Sequence, residues 1–232
     1  MTATSAAFPS AGRHADIERH FARRGRGEDF DMEARWIARR LPMSASRILD
    51  IGCGNGALFP WIRASRVTGI DFAQAGLRQT RTCQPAARLA CGDGSSLPFA
   101  DNSFDVITAQ HVIEHLPDAG TALAQWRRVL RPGGTLLVVT PNARFVDPSV
   151  FDDPTHRQLF DRRELNSLMQ KSGLIVNRVC TIGIPSIRKY HAIPSGWRFR
   201  RTILRRAEWL SIVPGLRDSG QSLCCMARKP LE

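Results

Sequence analysis

The chain has 232 residues, 43% of them hydrophobic, which is enough to bury a full core in one domain. Its 33 Lys and Arg residues exceed its 21 acidic residues, for a net charge of +12. Such a surface either attracts phosphate groups of nucleic acid, anionic lipid or nucleotide-linked substrates, or reflects only an arginine-rich coding bias. The absence of a long apolar run and of a secretory leader predicts a cytoplasmic protein without a membrane-spanning helix. The spacing of the six cysteines predicts neither a disulfide framework nor a metal site.

The sequence predicts a single domain with a short tail. Residues 1–12 are small and polar and are expected to be disordered. The domain then comprises a helical cap, a cofactor-binding core and an acceptor side, over residues 13–44, 45–142 and 143–232.

The cap should form a lid over the start of the core. Within it, Phe30, Ala34 and Ile37 recur at helical spacing until Pro42 ends the pattern. A basic side chain such as Arg35 then either reaches a ligand carboxylate or belongs to a solvated face.

Short apolar runs alternate with helical patterns from residue 47 onward. The predicted strands are 47–51, 66–71, 87–91, 104–109 and 135–140. The predicted helices are 57–64, 72–79, 123–130 and 164–172. This alternation is typical of a doubly wound, mostly parallel sheet, in which ligands bind beyond the carboxyl ends of the strands.

The first predicted strand ends in a glycine-rich loop. Asp50 is followed by glycines at positions 52, 54 and 56, with Cys53 and Asn55 between them. Glycines allow a tight turn and a close approach of a ligand, and such a loop is expected to present unpaired N–H groups. The spacing differs from the G-x-G-x-x-G fingerprint of dinucleotide-binding proteins and disfavours a nicotinamide cofactor.

Two further acids follow the second and third predicted strands. Asp71 lies 19 residues after Gly52, where a carboxylate can accept hydrogen bonds from ribose hydroxyls, and Phe72 can pack on a flat base. Asp93 can accept a hydrogen bond from an exocyclic amine. Each acid alone also fits a helix cap, but acids at three successive strand ends favour a ligand site.

Six motifs occur in a fixed order between residues 45 and 142. They are Leu49-Asp50-Ile51-Gly52-Cys53-Gly54-Asn55-Gly56, Gly69-Ile70-Asp71, Gly92-Asp93-Gly94, Phe104-Asp105-Val106-Ile107, His111-Val112-Ile113-Glu114-His115-Leu116 and Leu130-Arg131-Pro132-Gly133-Gly134. In this order they resemble the class I S-adenosylmethionine-dependent methyltransferases, in particular the small-molecule branch. The resemblance implies a Rossmann-like α/β fold of seven strands with an antiparallel last strand, and the last two strands are expected at 174–181 and 221–228.

The resemblance also implies the cofactor, S-adenosylmethionine, and the product, S-adenosylhomocysteine. It implies that the glycine loop and Gln110 meet the methionine moiety, that Asp71 meets the ribose, and that Asp93 and Gly94 meet the adenine. The candidate cofactor residues are Asp50, Gly52, Cys53, Gly54, Asn55, Asp71, Phe72, Asp93, Gly94 and Gln110.

Two histidines are candidates for a general base. Methyl transfer from a sulfonium needs a base only for a poorly acidic hydroxyl, and His111 and His156 each fit that role or a structural one. The segment Asp152-Asp153-Pro154-Thr155-His156 resembles one in bacterial methyltransferases of glycan and lipid pathways, whereas Glu114 and His115 are expected to support the fold. Because no Asn-Pro-Pro-Tyr motif follows the fourth strand, we predict O-methylation of a small-molecule, glycan or lipid-linked acceptor.

A long basic segment at 183–220 precedes the last strand. Over 197–212 its arginines and tryptophans fit an amphipathic helix, which suits an anionic membrane surface, a lid on the same domain or an RNA-binding surface. RNA is the less favoured partner because few aromatic residues accompany the basic ones elsewhere. The alternative functions are therefore an RNA methyltransferase and a catalytically silent cofactor-binding protein recruited to the inner face of the membrane.

Overall fold

A computed structural model describes residues 28–62, 66–145, 153, 155–185 and 220–232. Its helices are α1 (Glu28–Ala38), α2 (Gln74–Cys83), α3 (Ala119–Val129) and α4 (Arg162–Lys171). Its strands are β1 (Arg47–Ile51), β2 (Arg66–Asp71), β3 (Arg88–Cys91), β4 (Phe104–Gln110), β5 (Leu130–Pro141), β6 (Ile175–Pro185) and β7 (Gly220–Arg228). The tail at 1–12, the first part of the cap and the basic stretch at 197–212 lie outside the described residues, so those predictions stay predictions.

The seven strands form one sheet in the order β3-β2-β1-β4-β5-β7-β6. Strands β1 to β5 pair in parallel, and β7 lies antiparallel between β5 and β6. The predicted α/β fold with an antiparallel last strand is therefore confirmed. Parallel pairing needs both faces covered, which explains why the central strands are apolar on both sides.

Alternate residues of β5 belong to two different apolar clusters. Leu136 and Val138 face a large cluster that contains the buried faces of α3 and α4. Leu137 and Val139 face a second cluster with residues of α1. Helices thus cover opposite faces of the sheet, and no helix in the described ranges is both long and apolar enough to cross a membrane.

Helix α1 holds the described part of the cap against the second face. Ala34, Trp36 and Ile37 are buried there with Leu58 from the loop after β1. The guanidinium of Arg35 lies 4.2 Å from the ring centre of Trp61. Arg35 therefore makes a cation–π contact with the neighbouring turn in this structure.

Helix boundaries follow capping side chains that the apolar pattern does not show. The Asp118 carboxylate accepts hydrogen bonds from two backbone N–H groups and starts α3 at Ala119, four residues before the predicted start. Asp161 and Glu164 form a capping box that starts α4.

The predicted helix at 57–64 is wrong over its described part. Residues 57–62 contain only a single 3-10 turn, Phe59–Trp61, and Ile62 after it is extended. Pro60 lacks an N–H and cannot donate the backbone hydrogen bond that an α-helix over this segment would need, so only the short turn forms.

Candidate functional site

The order of the strands places a crevice between β1 and β4. In a doubly wound sheet, ligands bind at the carboxyl ends of the strands where the strand order reverses. Here β1 pairs with β2 on one side and with β4 on the other. We call residues 50–56, 71–73 and 93–95 the glycine-loop side, and residues 110–115 and 155–158 the histidine side.

The glycine loop is held by the elements around it. Gly52, Gly54 and Gly56 have φ angles of +67°, +48° and +73°, a region that other residues rarely adopt. The Gly52 and Cys53 N–H groups donate to the Ile70 carbonyl at 2.8 and 3.2 Å, and Gly54 N–H donates to Asp71 Oδ2 at 2.8 Å. The expectation that these N–H groups are unpaired is therefore wrong: the loop donates them to β2.

Two residues of α2 that sequence reasoning missed support the same loop. The Thr80 hydroxyl donates to the Gly54 carbonyl at 2.8 Å. A Cβ at Gly76 would lie 2.9 Å from the Gly54 carbonyl carbon, so only glycine allows the helix to come this close. A glycine in the first turn of a helix after an acid was the available signal for Gly76.

The acids of the glycine-loop side are fixed by backbone groups. Asp71 Oδ1 accepts from Ala73 N–H at 2.8 Å, in addition to the bond from Gly54. Asp93 Oδ1 and Oδ2 accept from Ser95 N–H and the Ser95 hydroxyl at 2.8 and 2.7 Å. Because each carboxylate oxygen has two acceptor positions, both acids retain capacity for ligand hydroxyls or amines.

Asp50 is buried at the end of β1. Its Oδ1 accepts a hydrogen bond from the Thr108 hydroxyl at 2.7 Å. Burial, and secondarily the charge of Asp71, raise the Asp50 pKa to about 7 even though the Thr108 bond acts in the opposite direction. A ligand cation placed beside Asp50 would favour the ionised carboxylate.

The three remaining candidate side chains of the glycine-loop side differ in burial. Cys53 is buried, and a Cβ at Gly69 would lie 2.6 Å from its Sγ, so this thiol packs against β2. Burial also raises its pKa. Phe72 and Asn55 are half-buried at the rim. Together, the buried acids suit a ligand with a cationic group and hydroxyls, as S-adenosylmethionine has.

On the histidine side, three buried or half-buried polar residues surround Glu33 from α1. Glu33 Oε2 accepts from Gln110 Nε2 at 2.7 Å and from His111 Nε2 at 2.8 Å. Glu33 Oε1 accepts from the Ser222 hydroxyl of β7 at 2.6 Å. Gln110 is the last residue of β4, and its amide bonds to the cap helix.

His111 is held between two carboxylates. Its second nitrogen, Nδ1, donates to Glu114 Oε1 at 3.2 Å. The charges and hydrogen bonds of Glu33 and Glu114 raise the His111 pKa to about 10 although burial opposes this. With both ring nitrogens donating, the imidazolium has no lone pair to accept a proton, so the geometry argues against His111 as a general base.

His115 and His156 come together beside the turn that follows β4. Their ring centres lie 4.8 Å apart, and His115 Nδ1 donates to the Thr155 carbonyl at 3.2 Å. Burial, together with the nearby His156, lowers the His115 pKa and keeps this ring neutral. The fold therefore brings the second candidate base to a half-buried place beside the motif after β4.

Glu114 joins these two groups of residues. It is fully buried, its Oε2 accepts from the Thr140 hydroxyl at 3.0 Å, and its carbonyl accepts from Arg157 N–H at 2.7 Å. Ligand atoms of Glu114, His115 and His156 lie within 4.8 Å of one another, close enough to hold a metal ion. A metal ion there would compete with His111 and Thr140 for the Glu114 carboxylate.

Comparison with known proteins fits this geometry. Residues 49–138 match a family described as a methyltransferase domain. A protein of Mycolicibacterium smegmatis named as a probable S-adenosylmethionine-dependent methyltransferase is 35% identical over 141 residues, which cover 59% of this chain and 54% of that protein. The ubiquinone biosynthesis O-methyltransferase of Aromatoleum aromaticum is 32% identical over 117 residues, or 47% of this chain and 50% of that enzyme.

The fold is shared over almost the whole chain with solved structures. A geranyl diphosphate C-methyltransferase of Streptomyces coelicolor, solved with S-adenosyl-L-homocysteine, superposes with a TM-score of 0.67 at 15% identity and covers 96% of this chain and 100% of that one. The chain spans about half the length of the curated relatives it matches. From the family match and the sheet order together, residues 49–138 form a methyltransferase domain of the class I, S-adenosylmethionine-dependent type.

Proposed function

We propose that the protein transfers a methyl group from S-adenosylmethionine to a hydroxyl oxygen of a small-molecule, glycan or lipid-linked acceptor. The observation that carries this proposal is the half-buried His115–His156 pair beside the crevice. A relative named for O-methylation in ubiquinone biosynthesis, which matches about half of this chain, supports the choice of oxygen.

The glycine-loop side is suited to hold the donor. Asp50 and Asp71 offer buried carboxylates for the amino group and the ribose hydroxyls, and Asp93 offers an acceptor for the adenine amine. When bound, S-adenosylmethionine supplies an activated methyl group, so the protein's task is to align the acceptor and exclude water.

We assign the general base to His156. A hydroxyl must lose its proton as its oxygen bonds to the methyl carbon, and a neutral imidazole accepts it. The bond from His115 Nδ1 to the Thr155 carbonyl fixes the ring against which His156 packs. His115 then acts as a positioning residue, which extends the structural role that the sequence predicts for it.

Labelled methyl transfer into fractionated lipid, glycan and RNA extracts tests the acceptor class. We expect base-stable label in hydroxylated small molecules, glycans or lipids. Label in RNA, together with RNA binding that weakens steeply with salt, would instead identify an RNA methyltransferase. Donor binding without transfer into any fraction would support the catalytically silent alternative.

Replacing His156 tests its role as a base separately from donor binding. His156→Ala should lower the turnover of a hydroxyl acceptor by a factor of about 10² to 10⁴, while the dissociation constant of S-adenosylhomocysteine stays unchanged. Arg157→Ala, at the exposed neighbouring position, is the matched control and should retain turnover. Full turnover of the His156 variant at pH 7 would refute its assignment as base.

A further inference from the structure

The Glu33 carboxylate connects three separate parts of the fold. It comes from α1 and accepts hydrogen bonds from Gln110 at the end of β4, from His111 after that strand and from Ser222 on β7, at 2.7, 2.8 and 2.6 Å. The residue is 7% exposed, and the charge of His111, with the hydrogen bonds from His111, Ser222 and Gln110, keeps the Glu33 pKa low despite burial. Such a charged group costs free energy to bury unless it is fully paired.

The partner of Glu33 has an unusual backbone. His111 has a φ angle of +53°, a region that costs free energy for residues other than glycine. Its N–H donates to the Val139 carbonyl at 2.8 Å, and its ring is fixed by Glu33 and Glu114. Contacts from α1, β5 and the turn Ile113–His115 thus impose the conformation at this corner.

The same corner lies directly against the glycine loop. A Cβ at Gly52 would come 2.3 Å from Val112 Cγ2, and one at Gly94 would lie 4.0 Å from Val112 Cγ1. Val112 follows His111, so a shift of the His111 backbone would move the side chain that packs on Gly52. The corner therefore forms the β4 wall of the crevice between β1 and β4.

We infer that Glu33 is a positioning residue for donor binding, because it seats the cap helix on the crevice and fixes the Gln110–Val112 corner against the glycine loop. The inference rests on the donor half of the proposed function and does not depend on which acceptor is used. The cap helix is then part of the donor pocket rather than a detached cover.

The ionic partners of His111 make the inference testable by pH. The charged groups that face it are Glu33 from α1 and Glu114 from the following turn. In Glu33→Gln one of these charges is lost, so His111 should release its proton nearer to neutral pH. A helix that serves only for stability would not create a pH-dependent effect on the donor.

The experiment is calorimetric titration with S-adenosylhomocysteine between pH 6 and pH 9. For Glu33→Gln, we expect the ratio of its dissociation constant to that of the unaltered protein to rise from about 3 at pH 6 to 10 or more at pH 9. Because Asp50 titrates in both proteins, its effect on the dissociation constant cancels in this ratio. Ser222→Ala, which leaves the ion pair intact, should give a ratio that does not change with pH.

Glu232→Gln at the exposed end of the chain makes the same chemical change away from the site and should give a ratio of 1. A pH-independent ratio for Glu33→Gln would overturn the inference, as would a ratio of 1. If this variant does not fold, Ser222→Ala, which removes one of the three bonds to Glu33, decides: weaker binding of S-adenosylhomocysteine supports the inference, and an unchanged dissociation constant contradicts it. If the unaltered protein binds S-adenosylhomocysteine at any pH, the donor half of the proposed function stands. A negative result for Glu33→Gln then counts against this inference alone.

Discussion

The two sides of the crevice are assembled from contacts of different range. On the glycine-loop side, Asp71 accepts from residues 2 and 17 positions away, and Asp93 accepts from Ser95. On the histidine side, Glu33 bonds to residues 77, 78 and 189 positions away. Thr108 and Trp126 also reach the first side, from 58 and 32 positions away, but the bonds that hold Asp71 and Asp93 are local. The second side exists only when the cap, β4 and β7 have come together.

The difference bears on what each side can do. A locally assembled site binds a constant ligand in a constant way, which suits a donor common to many proteins. A site assembled from distant segments changes when any one of them changes, which suits an acceptor that differs between proteins. The glycine-loop side should therefore depend on the cap only through the corner at His111, where the two sides meet.

Asp71→Asn should produce the largest effect. The amide can accept only one of the two backbone bonds, from Gly54 and Ala73, that the carboxylate accepts, so the loop loses its support and the ribose loses its acceptor. We expect the dissociation constant of S-adenosylhomocysteine, measured by calorimetry, to rise about 100-fold or more. Asp118→Asn, the same change at an exposed helix cap, should leave it unaltered; a change of less than threefold in the Asp71 variant would refute the local account.

The sequence predicts the glycine-loop side because its signals are short. Three acids at strand ends and alternating glycines place Asp50, Asp71 and Asp93 at one edge without knowledge of distant contacts. The direction of the loop N–H groups was not predictable, because whether they face a ligand or β2 depends on the pairing of Gly52 and Cys53 with Ile70.

The histidine side was only partly predictable for the opposite reason. His111 and His156 are visible as histidines, but the sequence does not show that Glu33 and Glu114 bond to the His111 ring or that His115 packs against His156. Glu33 lies in a segment where only its apolar neighbours have a pattern, and its bond to Ser222 spans most of the chain. The prediction of a helix at 57–64 was wrong for a local reason, because Pro60 cannot donate the backbone hydrogen bond of an α-helix.

Asp50→Asn should weaken donor binding less than Asp71→Asn does, and it should raise the stability of the donor-free protein. Because the Asp50 pKa is raised to about 7 in the folded protein, folding is favoured less as pH rises from about 4 to 7 and the full cost remains above pH 7. The variant lacks this cost, so the donor-free protein should melt a few degrees higher than the unaltered one at pH 8, with the difference shrinking towards pH 5.

The same substitution should weaken the binding of the donor about tenfold. The ammonium group of the donor favours ionised Asp50, so the affinity of the unaltered protein should increase as pH rises from 6 to 8, and that of the variant should change less. Thermal melts and calorimetry across this range measure both effects. A variant that is less stable than the unaltered protein at pH 8 would show that Asp50 is not the buried acid of the donor site. So would an unaltered protein whose affinity for the donor does not change between pH 6 and pH 8.

Trp126→Phe should have the smallest effect, and it tests the comparison at its weakest point. Trp126 is fully buried in α3, and its Nε1–H donates to the Gly94 carbonyl at 2.7 Å across 32 residues, so it supports the glycine-loop side from a distant helix. Losing this bond should lower the free energy of unfolding, measured with denaturant, by roughly 1–3 kcal/mol. It should weaken the binding of S-adenosylhomocysteine only about threefold, because Ser95 still holds Asp93. Trp36→Phe, in the cluster beneath α1, should lower stability without changing donor affinity. A tenfold or greater loss of affinity in Trp126→Phe would mean that the adenine end, too, depends on distant packing, and the division into a locally built side and an assembled side would then fail.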